Sequence, residues 1–160
     1  MREWDKGKRT PLLGRIEGKL QNKPVRDRIS SATYRLRTQQ NRLELGSLKM
    51  QQRDKELFRK CVEAQLAKDT ARAAMYAEEC AEIRKIAKIT LQAQLAIERA
   101  VFRLEAVQEF GDLAHHMMPI TGVIRALTSQ VSGIMPEVSR ELGMVSEMLG
   151  DIVIEAGSST

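Results

Sequence analysis

No proline lies between Pro24 and Pro119. Inside that interval the apolar residues keep two helical rhythms, and this stretch constrains the fold more than any other. From Ile29 the apolar positions recur every seventh residue: Ile29, Leu36, Leu43, Met50, Leu57 and Ala64. From Ile86 they step by three and four: Ile86, Ile89, Ala93, Ala96, Ala100, Leu104 and Val107. Both are helical periods; a strand alternates every second residue. Lys68-Asp69-Thr70 is the break between the two halves. The internal glycine, Gly46, costs a helix only about 1 kcal/mol. At ~1.5 Å per residue each half makes a rod of about 60 Å. Two matched rods joined by a tight turn form an antiparallel helical hairpin. A compact domain of this size has a core only about 30 Å across, so the chain is expected to be elongated.

Asn22 and Pro24 mark the start of the first arm, with proline at the first helical turn. Gln39 and Gln40 interrupt its stripe where an apolar residue belongs, a sign of imperfect or shared packing. Asp69 or Thr70 can cap the second arm. The run Ala71, Ala73, Ala74, Ala77 and Ala81 is small enough to let the arms approach closely near the tip. Beyond it, apolar residues cover more than one face. Ile89, Leu91, Leu95, Ile97, Val101 and Phe102 exceed what one partner arm can bury, which marks them as candidates for a contact with another chain or element.

Gly111 and Pro119 signal bends. Leu113, Met117, Ile120, Ile124, Leu127, Val131 and Ile134 then follow a strict four-three spacing. After Pro136 the spacing resumes with Val138, Leu142, Val145, Leu149 and Ile152. These are two amphipathic helices with narrow seams, suited to docking on other helices. Leu142, Val145, Leu149 and Ile152 join the candidate contact residues. The expected organisation is a basic segment over 1–23, a hairpin over 24–117 turning near 68–70, two short acidic helices over 118–155, and the start of a flexible linker over 156–160.

Charge is unevenly spread. Residues 1–60 hold 17 Lys+Arg against 7 Asp+Glu, residues 61–111 hold 7 against 8, and residues 112–160 hold 2 against 6. A basic first third and an acidic last third attract each other, and the basic third suits a polyanion such as a lipid surface or nucleic acid. In the first segment Leu12, Leu13, Ile16 and Leu20 lie among Lys6, Lys8, Arg9, Arg15, Lys19 and Lys23, with the lone Trp4 ahead of them. That is the pattern of a basic helix lying in a membrane interface, where tryptophan favours the headgroup level. The alternative is a plain basic tail, since Gly7, Pro11, Gly14 and Gly18 weaken a helix. Arg26 and Arg28 extend the candidate lipid-contact set into the first arm.

Aromatic residues are only 4% of the chain, which argues against a deep globular core and against base-stacking platforms for nucleic acid. No run of 18 apolar residues reads as a transmembrane helix, and no apolar signal core opens the chain. Cys61 and Cys80 lie about equally far from the turn on opposite arms. A disulfide is open to them, but small buried thiols in a reducing cytoplasm is the favoured reading. His115 and His116 are adjacent, so their side chains diverge by about 100° on a helix and do not converge on a metal. Met117, Met118 and Met135 read as adaptable packing. Glu78, Glu79 and Glu82 read as a solvated patch. No phosphate-binding loop or nucleophile elbow is found, so no catalytic, metal or cofactor site is expected.

With these features placed, the chain resembles the ESCRT-III proteins, and among them the archaeal CdvB-type cell-division members. The likeness covers residues 24–156. It runs from Pro24 through Ile29-Ser-Ser-Ala-Thr-Tyr-Arg-Leu-Arg37, then Ala71-Arg-Ala-Ala-Met-Tyr-Ala-Glu-Glu79 with Ile83 and Arg84, then Ile120 to Leu127 and Gly133-Ile-Met-Pro136. The order of parts carries it: basic long arm, tip, second arm, acidic short helices. The resemblance implies an all-α core and no enzyme. It implies a cytoplasmic protein, peripheral on the inner face of the membrane at the division site, that forms filaments and constricts membrane. The implied partners are anionic lipid, further copies of the chain and ESCRT-III paralogs. An AAA+ ATPase is implied through a C-terminal motif that residues up to Thr160 do not carry. A nucleic-acid-binding helical protein and a generic coiled-coil adaptor are the competing readings.

Overall fold

The computed structural model describes residues 24–111 and 113–158. Their helices are α1 (Val25–Leu66), α2 (Thr70–Phe110), α3 (Leu113–Val131) and α4 (Pro136–Ser158). Arg37 meets Glu105, Asp54 meets Arg84 and Met50 meets Thr90, so α1 and α2 run antiparallel, as the tight turn between them requires.

The turn between them is built from backbone chemistry. Lys68 adopts the left-handed conformation, φ 59°. The Asp69 amide donates to the Ala64 carbonyl at 2.9 Å and the Lys68 amide to that of Gln65 at 3.0 Å. This pair of bonds is a Schellman motif, which uses up carbonyls the helix end would otherwise leave unpaired. Asp69 then opens α2, its Oδ1 accepting from the Arg72 amide at 3.2 Å. At the far end of α2, Gly111 is left-handed at φ 81° and its amide returns to the Val107 carbonyl at 2.9 Å. The second arm therefore ends at Phe110 rather than reaching residue 117, because this cap stops it. Pro136 is the first residue of α4, where its missing N–H costs nothing. That helix continues through Gly157 to Ser158, into the stretch expected as linker.

The helices α3 and α4 fold back along the open end of the hairpin. There α1 touches α2 and α4, and α3 touches α2 and α4, so the four close into a ring. Met135 lies against Gly46, and Arg28 meets Glu155, which sets α4 antiparallel to α1. The base of the molecule is thus a four-helix bundle. Its core takes Ile29, Leu36 and Leu43 from α1 and Ile97, Ala100 and Leu104 from α2. Met117, Ile120 and Ile124 come from α3, and Leu142, Val145, Leu149 and Ile152 from α4. Each large apolar side chain so buried contributes about 1.5–3 kcal/mol.

Beyond Gly46 only α1 and α2 remain, and they project as a two-helix tip. Its seam buries Ala64, Ala73 and Cys80 fully, with Met50, Leu57 and Ile86 half-buried. Of the alanine run expected to line the close approach, Ala73 does so; Ala71, Ala74, Ala77 and Ala81 are exposed.

Candidate assembly and membrane-contact surfaces

The candidate contact residues divide in two. Leu91, Leu95 and Phe102 are exposed on α2, and Ile89 is half-buried. Ile97 and Val101 are not on that face. They lie in the base core, at 0% and 4% exposure, because this part of α2 packs on both α1 and α3. The apolar width of the second arm is therefore largely satisfied within the chain. Leu142, Val145, Leu149 and Ile152 are likewise fully buried, their seam covered by the rest of the bundle. In this conformation they offer nothing to a neighbour.

Among the exposed apolar residues, several gather along one flank of the hairpin. Leu48, Leu91 and Leu95 line a shallow groove between α1 and α2, rimmed by Glu44 and Glu98. Toward the tip, Phe58, Val62 and Leu66 are exposed on α1 and Met75 on α2. The Arg84 guanidinium donates to Asp54 Oδ1 at 2.9 Å and lies 6.0 Å from the Phe58 ring centroid. The hydrogen bond to Asp54, with its charge, pushes the Arg84 pKa up. This cluster links the two arms, but as a solvent-exposed pair it adds little to stability.

The proposed lipid-contact residues Trp4, Lys6, Lys8, Arg9, Leu12, Leu13, Arg15, Ile16, Lys19, Leu20 and Lys23 lie outside the described residues. Of the two in the first arm, Arg26 is exposed and free to meet an anionic surface in this respect. Arg28 is not available. Its side chain is 8% exposed and donates to Glu155 of α4, so it serves the fold. A buried cation needs such a partner, and Glu155 supplies the charge. Nearby, Gln108 Nε2 donates to the Arg26 carbonyl at 2.8 Å and to Ser30 Oγ at 2.7 Å, clamping the end of α2 to the start of α1. Exposed Arg42, Lys49, Arg53, Lys55, Arg59 and Lys60 leave α1 strongly basic along its length.

Two features sit apart from these surfaces. Gln39 is buried at 2% exposure, and neither its Oε1 nor the buried Thr33 Oγ1 has a partner among the described residues; both lie on α1 in the base. The broken stripe had flagged Gln39; the orphaned oxygen could not be read from sequence. The cysteines are free thiols. Cys61 Sγ donates to the Ala73 carbonyl at 3.3 Å, and Cys80 faces the Asp54 carbonyl at 3.9 Å. Burial, then the Asp54 charge, push the Cys80 thiol up.

No helix among the described residues is long and apolar enough to cross a membrane. A long basic hairpin, closed at its base by two short amphipathic helices and bare at its tip, defines an all-helical fold. Over 134 residues the chain is 49% identical to Cell division protein B1 of Sulfolobus acidocaldarius, covering 84% of this chain and 63% of that protein. Over 130 residues it is 37% identical to Cell division protein B of the same organism, covering 81% of this chain and 50% of that protein. The chain therefore spans between half and two thirds of the length of these curated relatives. No family model matches it, and no solved structure matches it significantly. The chain belongs to the CdvB-type ESCRT-III family.

Proposed function

We propose that this chain is a non-catalytic subunit of a membrane-associated assembly that acts in archaeal cell division. Its basic first segment and first arm hold it to anionic lipid on the inner membrane face. Repeated contacts between copies, and with ESCRT-III paralogs, build a filament that constricts membrane. An AAA+ ATPase acts on the assembly through sequence outside these residues. The names of the two curated relatives support the division role. The observation that carries the assembly reading is the uncovered apolar flank on a basic rod: Leu48, Phe58, Leu91, Leu95 and Phe102 stay exposed while the seams facing the core are buried. Many weak contacts repeated along a polymer sum to tight binding.

Cosedimentation with anionic liposomes, neutral liposomes and DNA tests this, with negative-stain microscopy of each pellet. Pelleting with anionic liposomes accompanied by filaments is expected. Replacing Arg9, Arg15, Lys19 and Lys23 with Glu should abolish that pelleting while far-UV circular dichroism is unchanged. Undiminished pelleting of the variant removes the membrane role of this segment, and pelleting with DNA alone favours the nucleic-acid reading.

A further inference from the structure

The groove between α1 and α2 carries a charge pattern that its own chain does not use. Glu44 and Glu98 rim it beside Leu48, Leu91 and Leu95. Lys55 lies seven residues past Leu48 on α1, and Lys88 lies seven residues before Leu95 on α2. Seven residues are close to two helical turns, so both lysines continue the same flank toward the tip. All four charged residues are exposed, and none takes part in a salt bridge among the described residues. At ~1.5 Å per residue, Glu44 and Lys55 stand about 16 Å apart along α1, and Lys88 and Glu98 about 15 Å apart along α2. The first interval is centred between Leu48 and Gln51, the second between Leu91 and Leu95. Both pairs are thus centred on the exposed leucines, acid toward the base and lysine toward the tip.

We propose that this flank binds the same flank of a second copy in an antiparallel, two-fold arrangement centred on Leu48, Leu91 and Leu95. The proposal rests on the assembly reading above and names its contact. A two-fold axis in the plane of the interface and across the rods sets α1 on α1 and α2 on α2 in opposite directions. Glu44 then meets Lys55 of the second copy and Glu98 meets Lys88, and symmetry repeats each pair, as an isologous interface must. The parallel arrangement instead sets α1 of one copy on α2 of the other at one level. There Glu44 falls beside Glu98 and Lys55 beside Lys88, like charge on like. Charge therefore selects the antiparallel pairing, while the leucines supply the apolar centre. An overlap of residues 40–62 is about 35 Å long and about 20 Å wide across two helices, some 700 Å² per copy. That is near the ~800 Å² per partner of a stable specific interface.

Sedimentation equilibrium of the full chain at low salt, without lipid, should show a concentration-dependent dimer. Two double variants test the pairing: Glu44→Lys with Glu98→Lys, and Lys55→Glu with Lys88→Glu. Each puts like charges at all four contacts and should weaken self-association by about a hundredfold. Because all four positions are exposed, both variants should keep the wild-type helix signal and, at dilutions where wild type is monomeric, its melting temperature. Mixed in equal amounts, they pair opposite charges throughout and should restore the dimer. Variants that self-associate like wild type, or a mixture that stays monomeric, overturn the proposal. Microscopy on anionic vesicles separates it from the wider reading. A wild-type chain that forms filaments there but stays monomeric in solution at every concentration overturns this contact and leaves the assembly reading standing. A chain that dimerises with the expected charge dependence yet never assembles on vesicles supports this contact and overturns the wider reading.

Discussion

The base and the tip of this molecule share two helices, yet different physics holds each. In the base, Leu36, Leu43, Ile97 and Leu104 are fully buried because α3 and α4 complete a ring around them. In the tip the seam buries only the small side chains Ala64, Ala73 and Cys80, with Met50, Leu57 and Ile86 half-buried beside them, and an exposed polar pair, Asp54–Arg84, links the arms. A bundle can bury large side chains; a bare pair of helices cannot, and its outer apolar residues stay in water. Large-side-chain burial is thus concentrated at the base, although Tyr34, Phe102 and Phe110 stay exposed on its outside. Regions with few buried apolar contacts open locally at low free energy, so the tip is the softer part on the timescale of hydrogen exchange.

The sharpest way to break this contrast is to put the same charge in both places. Ile97→Asp buries an unpaired carboxylate in the base and should cost several kcal/mol, enough to remove the cooperative thermal transition. Leu66→Asp, at a position 79% exposed in the tip, should shift stability by only about 0.5 kcal/mol. Thermal melts by circular dichroism decide it; equal losses would mean that the tip is packed as tightly as the base.

A smaller effect should follow at the closure of the ring. Glu155→Ala leaves Arg28 buried without its carboxylate, at a cost of about 1–3 kcal/mol. The loss should fall on α4. Its amides should exchange faster by hydrogen–deuterium mass spectrometry, while those around the turn keep their rate. Uniform acceleration across the chain would mean that α4 does not open on its own.

The smallest change expected is a gain, and it belongs to the tip. Lys68 holds a left-handed conformation that costs a residue with a Cβ about 1 kcal/mol. Lys68→Gly relieves that and should stabilise the turn by somewhat less than 1 kcal/mol, after the added chain entropy of glycine. Slower exchange at Ala67 to Thr70, with no change in the base, is the expected reading. A loss of protection there would show that the lysine side chain contributes more than its backbone costs.

The contrast also shows which parts of the molecule could be read in advance. The stripe of α1, the four-three steps of α2 and the seams of α3 and α4 are local periods, and each gave a helix with the expected buried face. Pro136 and Asp69 placed two starts through local chemistry. What periodicity lacks is the identity of the partner. The wide apolar surface around Ile97 and Val101 fits a neighbouring copy as well as it fits α3, and only the return of the chain settles the choice. Arg28 shows the same limit. It reads as one of five arginines in a basic stretch, and its burial depends on a glutamate 127 residues away. Lys68 carried no signal at all, since lysine has no preference for the conformation it adopts there.

That separation in sequence also sets an order of events. The contact between Arg28 and Glu155 closes a loop of most of the chain, and long loops are entropically slow to close. During synthesis, α1 and α2 are complete before any part of α4 has been made. The hairpin is expected to pair first, from its turn outward, since the contacts there are local. For that interval the base stands open, with Leu36, Leu43, Ile97 and Leu104 facing whatever is near. The nascent chain is therefore most exposed to wrong partners not at the end that stays bare in the finished molecule, but at the end that finishes best covered.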